Sequence, residues 1–285
     1  MVGLGRMGAG MTDRLRARGV EVVGFDLAPD RRDVASLDEL VAALEPPRAI
    51  WVMLPSGPPT DATVRRLAEL LQAGDVVVNG ANDHFRHDQE LAAGLAERGI
   101  AYVDAGVSGG VWGVTEGYGL MVGGPEEQVA RLTPVWQALA PQGGFVHAGP
   151  VGAGHYTKMV HNGVEYALMQ AYAEGYELLA ASDLGIDVPG ALGAWRHGTV
   201  IRSWLLDLLV RALEEDPALA NIRGWADDTG EGRWTVEEAV HLAVPAPAIS
   251  AALFARFASR QTDSPAMKVV AALRQQFGGH PVRRS

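Results

Sequence analysis

Four polar residues, of which three can gain or lose a proton, lie close together in the segment HYTKMVHNGVEYALMQAYAEGYELL. They are Lys158, His161, Asn162 and Glu165. Offsets of three, four and seven residues from Lys158 place them on one face if the segment is a helix. A base and an acid on one face suit proton transfer, because each shifts the pKa of the other and both can reach one bound molecule. The alternative is a solvated helix face, where such charges are common.

The residues around this polar face argue against a freely exposed helix. Gly163 interrupts the segment, at a cost of about 1 kcal/mol relative to alanine in a helix. The flanking residues are mostly apolar: Met159, Val160, Val164, Tyr166, Ala167, Leu168 and Met169. We therefore expect a largely buried helix with another element packed against Gly163 and with its polar groups facing a cleft.

A second chemical pattern opens the chain, because MVGLGRMGAG contains G-x-G-x-x-G at Gly3, Gly5 and Gly8. Such glycines let a backbone approach a dinucleotide pyrophosphate closely. In a chain with 35 glycines the match could be accidental. Only Met1 and Val2 precede the pattern, although a buried strand is expected there, so we expect that a few strand residues are missing from the start.

An acidic partner for the glycines follows at the right distance. Asp26 lies 18 residues beyond Gly8, at the end of the strand-like run VEVVGFD. Its carboxylate can accept hydrogen bonds from the ribose hydroxyls of NAD and would repel the 2′-phosphate of NADP. The alternative is a turn or helix-capping aspartate. Arg31 and Arg32 would favour NADP if they folded back towards the site.

Other strand ends carry polar or flexible residues. In DAGVSGGVWG, Ser108, Gly109 and Gly110 follow a strand-like run, where backbone N–H groups and a hydroxyl could bind an oxyanion. Asn82 ends another such run in VNGAND. Each has a plain alternative, which is an ordinary turn.

Three cationic residues stand apart in the second half. Arg202 in VIRSWLL sits within an apolar, helix-like run, so we expect it to pair with a buried anion, from the protein or from a ligand. Arg274 and His280 lie near the end of the chain, in LRQQFGGHPVRRS. An exposed tail is the usual state of such a terminus.

The elements that must position these residues change character along the chain. The first half alternates helical segments with the strand-like runs VEVVGFD, AIWVMLP, DVVVNG, IAYVDAG and YGLMVGG. This predicts a doubly wound α/β domain whose parallel sheet is buried on both faces. From about His155 the strand pattern is absent and helical runs follow. We place the boundary near Pro150, giving a dinucleotide-binding domain (1–150) and an all-helical domain (151–285).

Composition narrows the function classes. A formal net charge of −10 argues against nucleic acid or an anionic membrane as the partner, although a local basic pocket could still bind a small anion. The chain has no cysteine, which fits a reducing cytoplasm and excludes disulfide chemistry. We find no export signal and no apolar run long enough to span a membrane. No motif indicates a metal site.

The motifs together resemble the decarboxylating 6-phosphogluconate dehydrogenases, particularly their short, NAD-preferring bacterial branch. The resemblance covers almost the whole chain and rests on GLGRMG, GVSGGVWG, GPVGAGHYTKMVHNGVEYALMQAYAEG, WRHGTVIRSWLLD, TGEGRWT and FGGH, in that order. It implies a Rossmann-type domain followed by an all-α domain, in a homodimer whose C-terminal tail enters the neighbouring active site. It also implies a cytoplasmic enzyme of the pentose phosphate pathway and gluconate metabolism.

The implied reaction is oxidative decarboxylation of 6-phosphogluconate to ribulose 5-phosphate and CO2 with reduction of NAD, or possibly NADP. Lys158 would be the base for the C3 hydroxyl and would then polarise the new carbonyl. Glu165 would protonate C1 of the enediol, and Asn162 would orient the reactants. A neutral lysine near neutral pH requires a lowered pKa, which burial or a nearby cation can provide.

The resemblance also assigns the binding residues. Those for the substrate are Asn82, Ser108, Gly109, Gly110, His161, Tyr166 and Arg202, with Arg274 and His280 from the partner chain. Those for the cofactor are Gly3, Gly5, Arg6, Met7, Gly8, Asp26, Leu54, Pro55 and Asn82.

Two departures from the longer family members matter. Thr229 and Glu231 stand where those members carry a phosphate-binding Lys and Thr, and Asp26-Leu27-Ala28 replaces their Asn-Arg-Thr, which supports NAD. Two competing functions remain open. One is another β-hydroxyacid dehydrogenase, of the 3-hydroxyisobutyrate or tartronate semialdehyde type. The other is a catalytically inactive nucleotide-binding protein.

Overall fold

The computed structural model describes residues 1–278 and 280–283. Contacts divide the chain into two compact units, Met1–Asn162 and Gly163–Ser285. The domain boundary predicted near Pro150 stays a prediction, because one long helix runs through the division between the compact units.

A five-stranded sheet forms the centre of the first unit. Its strands, in spatial and chain order, are β1 (Ala49–Val52), β2 (Val76–Asn79), β3 (Ala101–Ser108), β4 (Gly119–Gly123) and β5 (Phe145–Gly149). Four of these coincide with predicted strands. The fifth, β5, was not predicted, because its partly exposed residues lack a continuous apolar run.

The sheet is mostly parallel, as predicted, but one pair differs. β1, β2 and β3 are parallel neighbours, β4 and β5 are parallel, and β3 and β4 are antiparallel. A short connection with a single helical turn, Gly113–Glu116, joins β3 to β4, and no crossover helix lies between them. Antiparallel strands accept such a short connection, whereas parallel ones do not. The prediction of a wholly parallel sheet was therefore wrong at this pair.

The predicted strand VEVVGFD is reduced to a single bridge residue, Phe25. Val2 pairs in parallel with Phe25 on one side and with Val52 on the other. The Val2 N–H donates to the Trp51 carbonyl at 2.7 Å, and the Gly3 N–H donates to the Phe25 carbonyl at 2.8 Å.

Helices cover both faces of the sheet, which confirms the doubly wound α/β prediction. Those of the first unit are α1 (Arg6–Ala17), α2 (Leu37–Ala42), α3 (Pro58–Leu70), α4 (Phe85–Ala96), α5 (Gly113–Glu116), α6 (Glu126–Arg131) and α7 (Thr133–Leu139). Two apolar clusters result, one centred on Met11 and Trp136 and the other on Leu40 and Leu67. All four residues of β2 are buried, as expected for a central strand with helices on both sides.

The long helix α8 (Ala153–Ala180) leads from the first unit into the second. It is followed by α9 (Val188–Trp195), α10 (Trp204–Glu215), α11 (Glu231–His241), α12 (Pro247–Ser259) and α13 (Pro265–Gly278). The described residues of the second unit contain no strand, which confirms the all-helical prediction for them. None of the described helices is both long and apolar enough for a membrane span.

Candidate active site

The three glycines of the first loop meet different surroundings. Gly3 has a φ of +89°, which favours glycine, and a Cβ there would overlap the Met53 carbonyl oxygen. Gly8 brings α1 so close to the loop that a Cβ would overlap the Gly3 carbonyl oxygen. A Cβ on Gly5 would meet nothing within 4 Å. A tight turn, an open approach and close helix packing are the three roles of a dinucleotide-binding loop.

A cavity of ≈ 400 Å³ opens beside this loop. It is lined by Leu4, Gly5, Arg6, Ala9, Thr12, Asp13, Arg16 and Arg31. Arg6 is exposed at the start of α1, whereas Met7 packs partly against the core of the sheet. Arg31 lines this cavity, whereas Arg32 donates to the Ala35 carbonyl at 3.4 Å. Of the two arginines that would favour NADP, one therefore borders the cavity.

Asp26 is fixed by the backbone on both of its carboxylate oxygens. Oδ2 accepts from the Leu4 N–H at 2.7 Å, and Oδ1 accepts from the Ala28 N–H at 2.8 Å. The N–H of Ala28 holds the pKa of Asp26 below its ordinary value, helped by Leu4 and by the charge of Arg31. Asp26 therefore stabilises a turn, which the sequence analysis gave as the alternative to ribose binding. Each carboxylate oxygen still has a second lone pair that could accept from a ribose hydroxyl.

The residues predicted after β1 and β2 lie on the loops that leave these strands. Leu54 flanks the glycine loop, since a Cβ on Gly3 would lie 2.8 Å from Leu54 Cδ2. Pro55 is exposed, and its carbonyl accepts from Thr60 Oγ1 at 2.9 Å. Asn82 has a φ of +51°, and its buried Oδ1 has no hydrogen-bond partner among the residues that the structure describes. That amide oxygen is free to accept from a bound group.

Two glycines follow β3 directly, and the second begins a short 3-10 helix, Gly110–Trp112. Ser108 ends the strand, and Gly109 and Gly110 have φ values of +129° and +52°. Both values lie in the left-handed region, which favours glycine. The three residues are half-buried or exposed, so their polar groups are accessible.

Lys158, His161 and Asn162 come together at the start of α8. Lys158 is only 5% exposed, and its Nζ donates to Asn162 Oδ1 at 2.7 Å. His161 Nδ1 lies 3.5 Å from Lys158 Nζ and 3.1 Å from Asn162 Oδ1. The backbone of Gly106 in β3 admits the Lys158 stem, because a Cβ on Gly106 would overlap Lys158 Cβ. The predicted grouping of these three residues is therefore seen in the structure.

Glu165 and Tyr166 follow on the next turn of α8. Glu165 is half-buried, and Tyr166 is 5% exposed. The Thr229 N–H donates to the Tyr166 hydroxyl at 3.4 Å. The element expected against Gly163 is α11, since a Cβ on Gly163 would lie 2.6 Å from Thr235 Cγ2.

The prediction that α8 is largely buried was wrong. Val160, Val164 and Leu168, spaced by four residues along one stripe, are 36%, 47% and 44% exposed. Most residues of the last two turns are also exposed. The burial is confined to the residues that touch the sheet at the start of the helix and to Gly163 and Tyr166 further along.

Arg202 does not lie within a helix, contrary to the sequence interpretation. Ser203 caps α10, with Oγ accepting from the Leu206 N–H at 3.1 Å, so Arg202 falls before the helix and is exposed. It pairs with no Asp or Glu in the described part of the chain. Arg274, on α13, and His280 are also exposed.

Sequence reasoning missed Arg256 on α12. Its guanidinium lies over the Tyr166 ring, 3.5 Å from the centroid, and Nη1 donates to the Asp227 carbonyl at 2.8 Å. Arg233 and Arg260 both pair with the buried carboxylate of Asp228, but Arg256 has no ion pair with a described carboxylate. Its contact with Tyr166 spans 90 residues of sequence, so no local pattern signals it.

A compositional signal for Lys158 was also available. The chain has 22 arginines and only two lysines, Lys158 and Lys268. The side chain of Lys268 is 64% exposed and pairs with Asp263, whereas Lys158 is buried. A buried lysine in a chain that otherwise uses arginine is a candidate for proton transfer, because arginine does not lose its proton.

Comparisons with known proteins identify the family of the chain. Residues 1–149 match the model of the NAD binding domain of 6-phosphogluconate dehydrogenase, and residues 154–279 match that of its C-terminal domain. A Haloferax volcanii protein named NAD(+)-dependent, decarboxylating 6-phosphogluconate dehydrogenase is 42% identical over 295 residues, covering 100% of this chain and 98% of that protein.

Two solved structures share the fold. Plasmodium falciparum 6-phosphogluconate dehydrogenase has a TM-score of 0.83 at 23% identity, covering 100% of this chain and 65% of that one. Mycobacterium tuberculosis 3-hydroxyisobutyrate dehydrogenase has a TM-score of 0.70 at 26% identity, covering 96% and 97%. The family models and the full-length relative decide the assignment: the chain belongs to the 6-phosphogluconate dehydrogenase family.

Proposed function

We propose that this chain catalyses the oxidative decarboxylation of 6-phosphogluconate to ribulose 5-phosphate and CO2, with reduction of NAD. The observation that carries the proposal is the buried Lys158, bonded to Asn162 on α8, in a member of this family. The NAD(+)-dependent decarboxylating activity in the name of the full-length relative supports it.

The first loop fits the cofactor. Gly5 leaves the approach to the N-terminus of α1 open, and Gly3 and Gly8 shape the turn around it. We propose that Arg6, Met7, Leu54, Pro55 and Asn82 complete the cofactor site and that Asp26 binds the adenosine ribose.

The proposed chemistry uses the polar face of α8. NAD, when bound, accepts the hydride from C3 of the substrate. Lys158 Nζ takes the C3 hydroxyl proton, and the resulting ammonium then polarises the new carbonyl while the carboxylate leaves as CO2. Glu165, seven residues further along the same helix, donates a proton to C1 of the enediol. Asn162 holds Lys158 Nζ in place through its Oδ1.

Polar groups around this face are proposed to orient the rest of the sugar acid. Ser108, Gly109 and Gly110 bind its carboxylate in the turn after β3. Asn82 and His161 contact its hydroxyls. Each of these positions is half-buried or exposed, so each can reach a bound substrate.

The phosphate is proposed to bind Tyr166, Arg202 and Arg256. Two observations support the role of Arg256. Its guanidinium lies over the ring of Tyr166, and it forms no ion pair with an Asp or Glu in the part of the chain that the structure describes. The two departures from the longer family members do not contribute, because Thr229 Oγ1 is hydrogen-bonded to Glu231, whose negative charge repels phosphate.

We further propose a homodimer in which Arg274 and His280 reach the neighbouring active site. The exposed stripe of Val160, Val164 and Leu168, and the exposure of nearly all of α13, supply apolar surface for a second copy. The reaction belongs to the pentose phosphate pathway and gluconate metabolism, and we propose that the enzyme is cytoplasmic.

Initial rates test this function. Purified protein should reduce NAD with 6-phosphogluconate and release one CO2 per NADH. Gluconate and 3-hydroxyisobutyrate, which lack the phosphate, should be poor substrates. Preferred turnover of either acid would instead assign the chain to the competing β-hydroxyacid dehydrogenases.

Cofactor choice is tested at Asp26. The wild type should have a higher kcat/KM for NAD than for NADP, and Asp26→Ala should lower that ratio because the repulsion of the 2′-phosphate is removed. Arg32→Ala, whose side chain contacts Ala35, is the matched control. A wild type that prefers NADP would assign the dominant role to Arg31, which borders the same cavity.

A further inference from the structure

A buried cluster of charged and polar side chains lies outside the residues assigned to the reaction. Asp88 on α4 is its centre: Oδ2 lies 2.6 Å from His155 Nδ1 of α8, and Oδ1 accepts from the Tyr102 hydroxyl at 2.7 Å. Asn79 Nδ2 donates to Asp83 Oδ2 at 2.8 Å and lies 3.3 Å from Asp88 Oδ1. All five residues are at most 3% exposed.

The same cluster holds the N-terminal end of α8 against the sheet. Asp104 of β3 accepts from the Gly152 N–H at 2.6 Å and from the His155 N–H at 2.8 Å. These bonds satisfy backbone donors that have no partner within the helix. The adjacent Gly154 lies so close to β4 that a Cβ would be 2.5 Å from the Met121 carbonyl oxygen. The position of this turn is thus fixed by backbone contacts as well as by charges.

Charge balance makes His155 the cation of the cluster. Burial lowers the pKa of its imidazole, but the adjacent Asp88, together with Asp104 and Asp83, raises it to about 9. Near neutral pH an imidazolium therefore faces three buried carboxylates. Burial raises the pKa of Asp104, and the positive charge of His155 partly offsets this rise. Removing the cation would leave these carboxylates without compensation.

The cluster does not require a metal ion. Ligand atoms of Asp88, Asp104 and His155 lie within 4.8 Å of one another. Every carboxylate oxygen of the two aspartates already has a hydrogen-bond partner: Tyr102, Asn79 and His155 for Asp88, and the N–H groups of Gly152 and His155 for Asp104.

The cluster also reaches the loops assigned to cofactor and substrate. Asp83 Oδ1 accepts from Ser56 Oγ and, at 3.1 Å, from the Gly57 N–H, just after Pro55. Asp83 itself follows Asn82 in the chain. A continuous set of bonds therefore runs from the loop after β1, through the loop after β2, to His155, one helical turn before Lys158.

We propose that His155, held by Asp88, is a positioning residue that fixes Lys158 relative to the loops carrying Pro55 and Asn82. The pair acts through the first turn of α8 and touches no substrate. The expected effect of this positioning on the catalytic rate rests on the proposed function.

Two substitutions in the full chain test the proposal, Asp88→Asn and His155→Asn. Asparagine has nearly the shape of aspartate, and its amide nitrogen can replace imidazole Nδ1, so each variant keeps a polar contact and removes a charge. We expect kcat with 6-phosphogluconate and NAD to fall about 10²-fold, because small displacements of a catalytic group have effects of that size. The KM for NAD should change less than about twofold, since the first loop is intact.

A double variant and a control separate coupling from general damage. Asp88→Asn/His155→Asn should be no slower than the slower single variant, because all three variants remove the same charge pair. His147→Asn makes the same substitution on β5, where the ring contacts the Gly124 carbonyl at 3.0 Å, and should retain the wild-type kcat.

The two lysines provide a readout that needs no turnover. Labelling with trinitrobenzenesulfonate, followed by peptide mass spectrometry, compares buried Lys158 with exposed Lys268 in one chain. We expect the ratio of Lys158 to Lys268 labelling to rise about tenfold in both single variants, because local opening becomes easier when buried contacts are lost. It should not change in His147→Asn.

The outcomes are distinguishable. Variants that melt earlier but keep the kcat of the folded protein and the wild-type labelling ratio would overturn the proposal, because the pair would then only stabilise the fold. If the wild type does not oxidise 6-phosphogluconate, the proposed function fails, and the labelling ratio alone decides whether the pair fixes Lys158. Should His155→Asn fail to fold, Asp88→Asn supports the same measurements.

Discussion

The two parts of α8 differ although they form one continuous helix. In the first part, up to Asn162, the backbone lies directly on β3 and β4, and Lys158 is buried there. In the second part, from Gly163, only Gly163 and Tyr166 are buried. Tyr172, Tyr176 and Leu179 are partly buried against the cluster that includes Leu192 and Leu206, and Leu178 is 75% exposed. The more deeply buried part of the helix therefore carries the proposed base.

The charges around the two parts also have opposite signs. Three buried carboxylates, of Asp83, Asp88 and Asp104, surround His155 in the first part. In the second part, Arg233 and Arg260 share the buried carboxylate of Asp228. The guanidinium of Arg256 instead contacts the Asp227 carbonyl, the Met169 sulfur and the Tyr166 ring. An excess of buried anions needs an internal cation, whereas an excess of cations can bind an anionic ligand. This contrast in charge supports the structural role proposed for His155 and the phosphate-binding role proposed for Arg256.

The largest effect is expected when the amine of Lys158 is removed from the first part of α8. Lys158→Ala should lower kcat by about 10²–10⁴-fold or more, the range that a general base contributes, with little change in NAD affinity. Stopped-flow rates and NAD binding, followed by the fluorescence of the seven tryptophans, measure the two quantities. Lys268→Ala is the matched control and should behave as the wild type. A Lys158→Ala rate above about 10% of wild type would remove Lys158 from the base role.

A smaller effect is expected in the second part. Arg256→Gln should lower kcat/KM for 6-phosphogluconate by about tenfold to a hundredfold, since a hydrogen bond to a charged group contributes about 1.5–3 kcal/mol. The slow rate with gluconate, which has no phosphate, should not change. Arg223→Gln, at an exposed arginine over Trp225, controls for loss of positive charge in the same unit. Equal losses with both substrates would show that Arg256 does not recognise the phosphate.

The two charge clusters should lose their stabilising effects at opposite ends of the pH range. The raised pKa of His155 means that its contribution is complete below pH 6.5 and is lost as the pH rises through about 9. Asp228 is the reverse case: hydrogen bonds from Arg233 and Arg260 lower its pKa, so its contribution is present above 3.8 and is lost as the pH falls through the lowered value.

Melting temperatures across pH test this contrast. Asp88→Asn should flatten the alkaline fall of Tm by several degrees and leave the acid side unchanged. Asp228→Asn should do the opposite. If either variant alters both sides equally, the substitution has changed the fold and not a single titration.

Local patterns account for what the sequence predicted well. The apolar runs of β1 to β4 and the long helix α8 depend on periodicity within short segments. The grouping of Lys158, His161 and Asn162 follows from helical spacing alone. The direction of β4 and the existence of β5 depend on pairing between distant segments, and the sequence interpretation missed both. Arg202 was placed in a helix because the capping role of Ser203 was not recognised.

Long-range contacts explain why two residues with proposed roles, Arg256 and His155, were not predicted from the sequence. Arg256 is significant because of Tyr166, and His155 because of Asp88, which is 67 residues away in the chain. Neither pair has a spacing that a helix or strand pattern would show. Only the scarcity of lysine, a property of the whole chain, could have strengthened the assignment of Lys158 before the structure was known.

The smallest effect is expected from replacing either of two glycines of α8, Gly175 and Gly163, by alanine. Gly175 has open space where a Cβ would lie, so Gly175→Ala should stabilise the protein by about 0.4–1 kcal/mol through helix propensity and a less flexible unfolded chain. Gly163→Ala should destabilise it, because the new methyl would lie 2.6 Å from Thr235 Cγ2 and 2.9 Å from its Oγ1. In a Thr235→Ala background the loss should shrink, since both of those atoms are gone. Urea unfolding measures each value. A destabilising Gly175→Ala whose effect decreases on dilution would mean that a second copy covers this part of the helix, because dilution removes the dimer contact from the wild type as well. That result would support the proposed dimer and restrict the contrast in packing to the isolated chain.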